Sequence, residues 1–161
     1  MGMEAEHTFT EAGVYQVTLM VEGKKEDNNA TDTMVVHIDL VETLEGTLQG
    51  TDGFNMTYEY TVWPEVQSIR LTLTYDTFVT VQMVPVKVDL DMDVRTDGDT
   101  PYATTSTQPP DTGDTQTEEL DLVLEGIIGN NGFTVVIRWG PLGAPAAVDF
   151  TLDVEIHYRA V

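Results

Sequence analysis

Cysteine is absent from this chain, which excludes disulfide bracing, thiolate metal ligands and cysteine nucleophiles. Basic residues are almost as scarce: seven Lys and Arg stand against 28 Asp and Glu, a formal charge of -21. So few cations cannot build a face that neutralises phosphates, so nucleic acid is excluded as a partner. Docking on anionic membrane surfaces is disfavoured for the same reason. No apolar run approaches the roughly 20 residues of a membrane span, so direct insertion is not expected. The opening residues, MGMEAEHTF, show neither the basic nor the apolar region of a signal peptide. In a secreted protein that segment would have to lie upstream. Serine occurs only at Ser68 and Ser106, neither of them in a G-x-S-x-G turn, so a Ser-His-Asp hydrolase finds no support. The run from Gly126 to Gly132 has no lysine, unlike a phosphate-cradling loop.

What the chain does have is alternation. Tyr15, Val17, Leu19 and Val21 recur at every second position, as do Met34, Val36, Ile38 and Leu40. The same spacing marks Tyr58 to Val62, Ile69 to Tyr75, Leu120 to Leu124, Phe133 to Trp139 and Phe150 to Tyr158. Period two with β-branched and aromatic residues is the signature of half-buried strands, and no stretch carries a helical apolar repeat. A hydrophobic share of 41% over 161 residues supports one packed domain. The expectation is an all-β, antiparallel sandwich. Punctuation falls at Glu22–Asn29, read as a hairpin turn, and at Glu42–Gly53, read as a boundary between segments 1–41 and 42–161. A long Thr/Asp/Gly/Pro-rich stretch, 96–117, is read as a loop.

Residues 84–94, VPVKVDLDMDV, alternate most sharply. Read as one strand, they place Val84, Val86, Val88, Leu90, Met92 and Val94 on one face. Lys87, Asp89, Asp91 and Asp93 lie on the other. Such a carboxylate row is either a solvated face or a calcium site. Calcium takes six to eight oxygens at about 2.3–2.6 Å, whereas neighbours two apart on a strand stand about 6.5 Å apart. At most two of the row could share an ion, so further ligands would come from the loop, with Asp97 and Asp99 nearest in sequence. The three histidines, His7, His37 and His157, show no metal-ligand spacing. For a carbohydrate or protein ligand, the candidate contacts are Tyr102, in polar company within the long loop, and Trp63, beside Pro64 at a strand end.

Residues 7–38 carry the order Thr8-Phe9, a turn at Glu11-Ala12-Gly13, then Tyr15-Gln16-Val17-Thr18-Leu19-Met20-Val21 and a closing strand Thr31 to Ile38. This order resembles the last three strands of a polycystic-kidney-disease (PKD) repeat. The first half of such a repeat is missing, and three strands alone leave an apolar face uncovered. Residues 56–158 resemble the bacterial pre-peptidase C-terminal family, a jelly-roll-like sandwich. The resemblance rests on Ser68 to Asp76, Val88 to Val94, the loop with Asp97-Gly98, Thr117 to Glu119, Gly132 to Ile137 and Phe150 to Val154. Gly132-Phe133 replaces that family's usual Gly-x-Tyr.

Together these resemblances imply a three-stranded Ig/PKD-like portion ahead of a jelly-roll-like sandwich. They imply a non-catalytic extracellular or cell-surface module serving adhesion, spacing or targeting, with an extracellular protein or polysaccharide as partner. Two N-glycosylation tripeptides, Asn29-Ala30-Thr31 and Asn55-Met56-Thr57, fit that setting. The alternative is a structural subunit that self-associates through edge strands.

Overall fold

A computed structural model describes residues 5–22, 29–50, 53–96, 100–109, 113–123, 127, 132–144 and 146–159. Among the described residues, twelve strands form in chain order. They are β1 (Gly13–Val21), β2 (Ala30–Ile38), β3 (Leu40–Leu48), β4 (Asn55–Thr61), β5 (Val66–Asp76) and β6 (Phe78–Val81). Then come β7 (Val84–Lys87), β8 (Leu90–Arg95), β9 (Ala103–Thr104), β10 (Thr115–Asp121), β11 (Gly132–Trp139) and β12 (Val148–Tyr158). Every ladder is antiparallel.

Two four-stranded sheets make the body, ordered β10-β5-β12-β3 and β4-β11-β8-β9. Their facing sides hold one core. From the first sheet come Ile69, Leu71, Leu73, Phe150, Leu152, Val154 and Ile156, and from the second Leu90, Met92, Val94, Phe133, Val135 and Ile137. Cross-strand register aligns like with like, Leu152 against Leu73 and Leu44, Val154 against Leu71, the pairing that stabilises a sheet face. At one side the edges of the two sheets meet, where the Tyr60 hydroxyl on β4 donates to Glu42 Oε1 on β3 at 2.8 Å. This is the expected all-β sandwich. The outer face of the first sheet is a lattice of threonines and acids. Thr43 donates to Asp153 at 2.5 Å, Thr47 to Asp149 at 2.6 Å, and Arg70 pairs with Asp121 at 2.8 Å.

Three expectations about local organisation are corrected. The stretch 84–94 is not one strand. After β7 the chain leaves its hairpin, the Val88 amide bonds to the Thr77 carbonyl at 2.8 Å, and β8 begins in a different sheet. The Glu42–Gly53 boundary is occupied by β3 as far as Leu48, paired along its length with β12. The 96–117 stretch contains β9, which pairs with β8, and the start of β10. A two-residue strand is too short to leave a periodic signal.

The β6–β7 hairpin turns on Gln82 and Met83, both with positive φ, at 49° and 68°. Two positive φ values define the turn that matches strand twist, and it favours Asn-Gly because side chains resist that conformation. Met83 is 95% exposed, so its side chain contributes no packing. Gln82→Asn/Met83→Gly is expected to raise stability by about 1 kcal/mol, measured as a rise in the denaturation midpoint. An unchanged or lower midpoint would show that the turn is not under strain.

At the other end, β1 and β2 pair only with each other, as a two-stranded ribbon. Two strands of the expected three-stranded portion form this ladder, and residues 5–12 are outside it. Phe9 still packs on Tyr15, ring centroids 4.6 Å apart. The ribbon is fastened at its base. Val14 packs on the core, the His37 ring meets Tyr158, and the Gly13 backbone lies against the Trp63 indole. Residues 23–28 of the expected turn lie outside the described residues, and Val21 pairs with Ala30 on either side of them.

Candidate functional site

Strand β8 is buried on both faces. Leu90, Met92 and Val94 enter the core as their alternation demands, and Asp89, Asp91 and Asp93 are only 1–2% exposed. The expectation of a solvated carboxylate face is therefore overturned. Burial of a charge needs a partner, and the partner is Arg138 on β11, directly across from Asp91 in the sheet register. Its Nη1 lies 2.6 Å from Asp91 Oδ2, and its Nε 2.8 Å from Asp93 Oδ2. Nη2 donates to Asp93 Oδ1 at 3.1 Å, completing a two-pronged clamp. Thr104 of β9 donates to Asp93 Oδ1 at 2.7 Å, and Arg95 approaches it at 3.6 Å.

The three carboxylates are electrostatically unlike. Burial pushes Asp93 up, but the Arg138 and Thr104 hydrogen bonds and the neighbouring guanidinium charges outweigh it and hold Asp93 below the ordinary aspartate value. Burial also dominates at Asp91, and Arg138 only partly offsets it, so Asp91 sits above the ordinary value. Asp89 is raised by burial and by the Asp91 charge, with smaller relief from Tyr75, Lys87 and Arg138. Among the described residues neither Asp89 oxygen meets a donor in full hydrogen-bond geometry, Tyr75 being the hydroxyl nearby. Its carboxylate lies against the Cα of Gly140, where a side chain would collide with it. The Gly140 amide donates to the Asp89 carbonyl at 2.9 Å.

A fourth buried carboxylate lies in the other sheet, within electrostatic range of Asp91 and Asp89. Glu118 of β10 is 3% exposed and shares the core face with Leu120, opposite Leu73 in the register. Among the described residues neither of its oxygens meets a hydrogen-bond donor in full geometry, though Thr105 and the Thr107 backbone lie near. Burial, with the Asp91 and Asp89 charges, pushes its carboxyl up to about 7, against partial relief from Thr105 and the Thr107 backbone. The buried Tyr75 hydroxyl lies near Asp89 and the Leu90 backbone, with no partner in full hydrogen-bond geometry among the described residues. Burial pushes it further from ionisation.

Of the candidate metal ligands, the fold thus places Asp91 and Asp93 on β8 and Asp89 just before it, and gives Asp91 and Asp93 to Arg138. Asp97 and Asp99 lie outside the described residues. Among the described residues, no three His, Asp or Glu side chains gather at a spacing that would hold a metal ion. Burial raises both Asp89 and Glu118 above their ordinary values. Tyr102 is 38% exposed, and its hydroxyl donates to the Val123 carbonyl at 2.5 Å. Trp63 is 44% exposed and lies beside Gly13 at the ribbon's base. The two aromatics belong to different parts of the sandwich, Tyr102 just before β9 and Trp63 between β4 and β5.

Sequence reasoning missed Arg138 and Glu118. Glu118 was detectable, since it shares parity with Leu120 and Leu122. Arg138 alternates with Val135, Ile137 and Trp139, which places it on the outer face. Nothing local says that a carboxylate row lies beside it.

The ribbon is the other unusual surface. Register puts Tyr15, Val17, Leu19 and Val21 on one face with Val36, Met34, Asp32 and Ala30. The opposite face carries Gln16, Thr18, Thr31 and Thr33, with Met20 and Val35. Exposure rises away from the base, reaching 60% at Leu19 and 61% at Met34. His7, Phe9, Tyr15, Val17, Met34 and Val36, together with Gln16 and Thr18, line an open groove along the ribbon.

Compared with known protein families and with curated proteins, the sequence matches none.

Proposed function

We propose that this chain is a non-catalytic β-sandwich module of a secreted or surface protein, in which the sandwich is the scaffold and the β1–β2 ribbon is the contact element. One observation carries the reading: an apolar ribbon face extends from a fully formed core with Leu19, Val21 and Met34 in solvent. Two-stranded ribbons are marginal in water by themselves, and exposed apolar patches of this kind mark interaction surfaces. The edges of β1 and β2 carry none of the usual protection against strand addition, neither proline nor lysine nor a bulge. The resemblance of residues 7–38 to PKD strands and the exposed Asn29 and Asn55 of the two glycosylation tripeptides support an extracellular setting.

If the ribbon serves contact and not folding, Leu19→Ser/Met34→Ser should leave the thermal midpoint within about 2 °C of the parent chain. Calorimetry on the full chain decides it. A fall of roughly 6 °C or more would place these side chains in a core and overturn the reading.

A further inference from the structure

We propose that the ribbon's partner is a second copy of this chain, the two apolar faces packing on each other about a two-fold axis. The proposal rests on reading the ribbon as a contact element, and it adds the occupant.

Charge is the first argument. Each copy carries a formal -21, so two copies repel wherever acid-rich surfaces approach. The 18 residues of β1 and β2 include one carboxylate, Asp32, and no Lys or Arg. Here self-contact meets little Coulomb opposition, and a strongly basic partner would find a single carboxylate to pair with.

Shape and polarity are the second. A two-fold axis across the ribbon sets the tip of one copy over the base of the other. The exposed Leu19 near the tip then meets the groove between Phe9 and the Val17–Met34 pair of its neighbour. The same alignment brings Asp32, the one acid on this face, towards His7, whose ring packs edge-on against Phe9 at 4.7 Å. Leucine finds an apolar groove and the carboxylate finds an imidazole, in both directions at once, as an isologous contact requires.

Area is the third. Nine residues per strand extend about 30 Å, so a ribbon face about 10 Å wide covers about 300 Å² on each copy and about 600 Å² in all, short of a standard interface and suited only to a weak, transient contact. The expected product is a concentration-dependent dimer with a dissociation constant in the micromolar range, not an obligate one.

Sedimentation velocity of the full chain from about 2 to 200 µM, at 0.15 and 1 M NaCl, tests this. The expected result is a monomer–dimer transition that tightens at 1 M NaCl, because salt screens the net repulsion. Leu19→Glu should weaken association more than about tenfold, while Thr33→Glu on the opposite face leaves it largely intact. A dimer that survives Leu19→Glu would overturn the interface. A monomer at every concentration and salt would overturn the second copy as occupant, and hydrogen exchange on that monomer separates the two readings. Protected β1 and β2 amides would leave the ribbon standing as a contact element for a different partner. Unprotected ones would remove the contact element as well.

Discussion

Replacing Arg138 by methionine is expected to destabilise the sandwich by about 3 kcal/mol, a fall of roughly 6–12 °C in the thermal midpoint. Arg138 is the cation that meets Asp91 and Asp93 at 2.6 and 2.8 Å, and both carboxylates are almost wholly buried. Removing it leaves two desolvated acids with only Arg95, at 3.6 Å from Asp93, and the Thr104 hydroxyl. The figure is taken at the low end for a broken buried pair, because the Arg138 side chain is itself 36% exposed and part of its charge stays hydrated. Methionine keeps the apolar stem, so the measurement reports the lost charge and not lost packing. A matching control is the triple variant Arg138→Met/Asp91→Asn/Asp93→Asn. It should recover much of the loss, since no charge is then buried. If Arg138→Met alone unfolds within about 2 °C of the parent chain, the clamp contributes no net stability.

The second large effect is on pH. Glu118 has its folded value raised from 4.5 to about 7, so its contribution is fully present below the unfolded value and is lost as pH rises through about 7. The difference corresponds to about 3 kcal/mol, taken as an upper figure. Asp89 is raised as well and acts in the same direction. Asp93 is lowered, so its contribution is present above its unfolded value and is lost in strong acid. The stability maximum should therefore lie in mildly acidic solution, and the midpoint should fall between pH 5 and pH 8.5.

Chemical denaturation across that range, for the parent chain and Glu118→Gln, reads this directly. Glutamine is neutral at every pH, so the variant should gain stability at pH 8.5, change little at pH 5, and lose most of the slope. The general self-repulsion of a -21 chain also weakens the fold as pH rises, but salt screens that part and leaves the buried Glu118 term. An unchanged slope in Glu118→Gln would show that the buried carboxylate is not what titrates. Adding calcium at pH 8.5 supplies the contrast with the cation expectation for Asp89, Asp91 and Asp93. Calcium-specific stabilisation that disappears in Asp89→Asn would mean that an ion, not a proton, neutralises the group.

Both effects come from side chains whose faces were legible in the primary structure and whose neighbours were not. Alternation assigned Leu71 and Leu73, Phe133 to Ile137 and Phe150 to Ile156 to a core, and all of them lie in it, because period two is a local property of an extended backbone. The same parity put Asp89, Asp91 and Asp93 on the face opposite Leu90 and Met92. It could not say what covers that face. Arg138 reaches it through the pairing of β8 with β11, 45 residues away from Asp93.

Glu118 shows the same division. Its parity with Leu120 marks it as inward-facing, but its encounter with Asp89 and Asp91 depends on how two sheets stack. The split of residues 84–94 between β7 and β8 is likewise tertiary, since a backbone bond from Val88 to Thr77 redirects a stretch whose alternation runs on unbroken.

By itself, then, the sequence determined the strand content, the inward side of each strand and the acidity. These follow from composition and from side-chain alternation, which act within a few residues. The tertiary structure alone decided which carboxylates are paired with Arg138 and which are buried apart from it, and that one apolar ribbon face is left in solvent. Those outcomes depend on contacts between segments far apart in the chain, and on the electrostatics of burial that such contacts create.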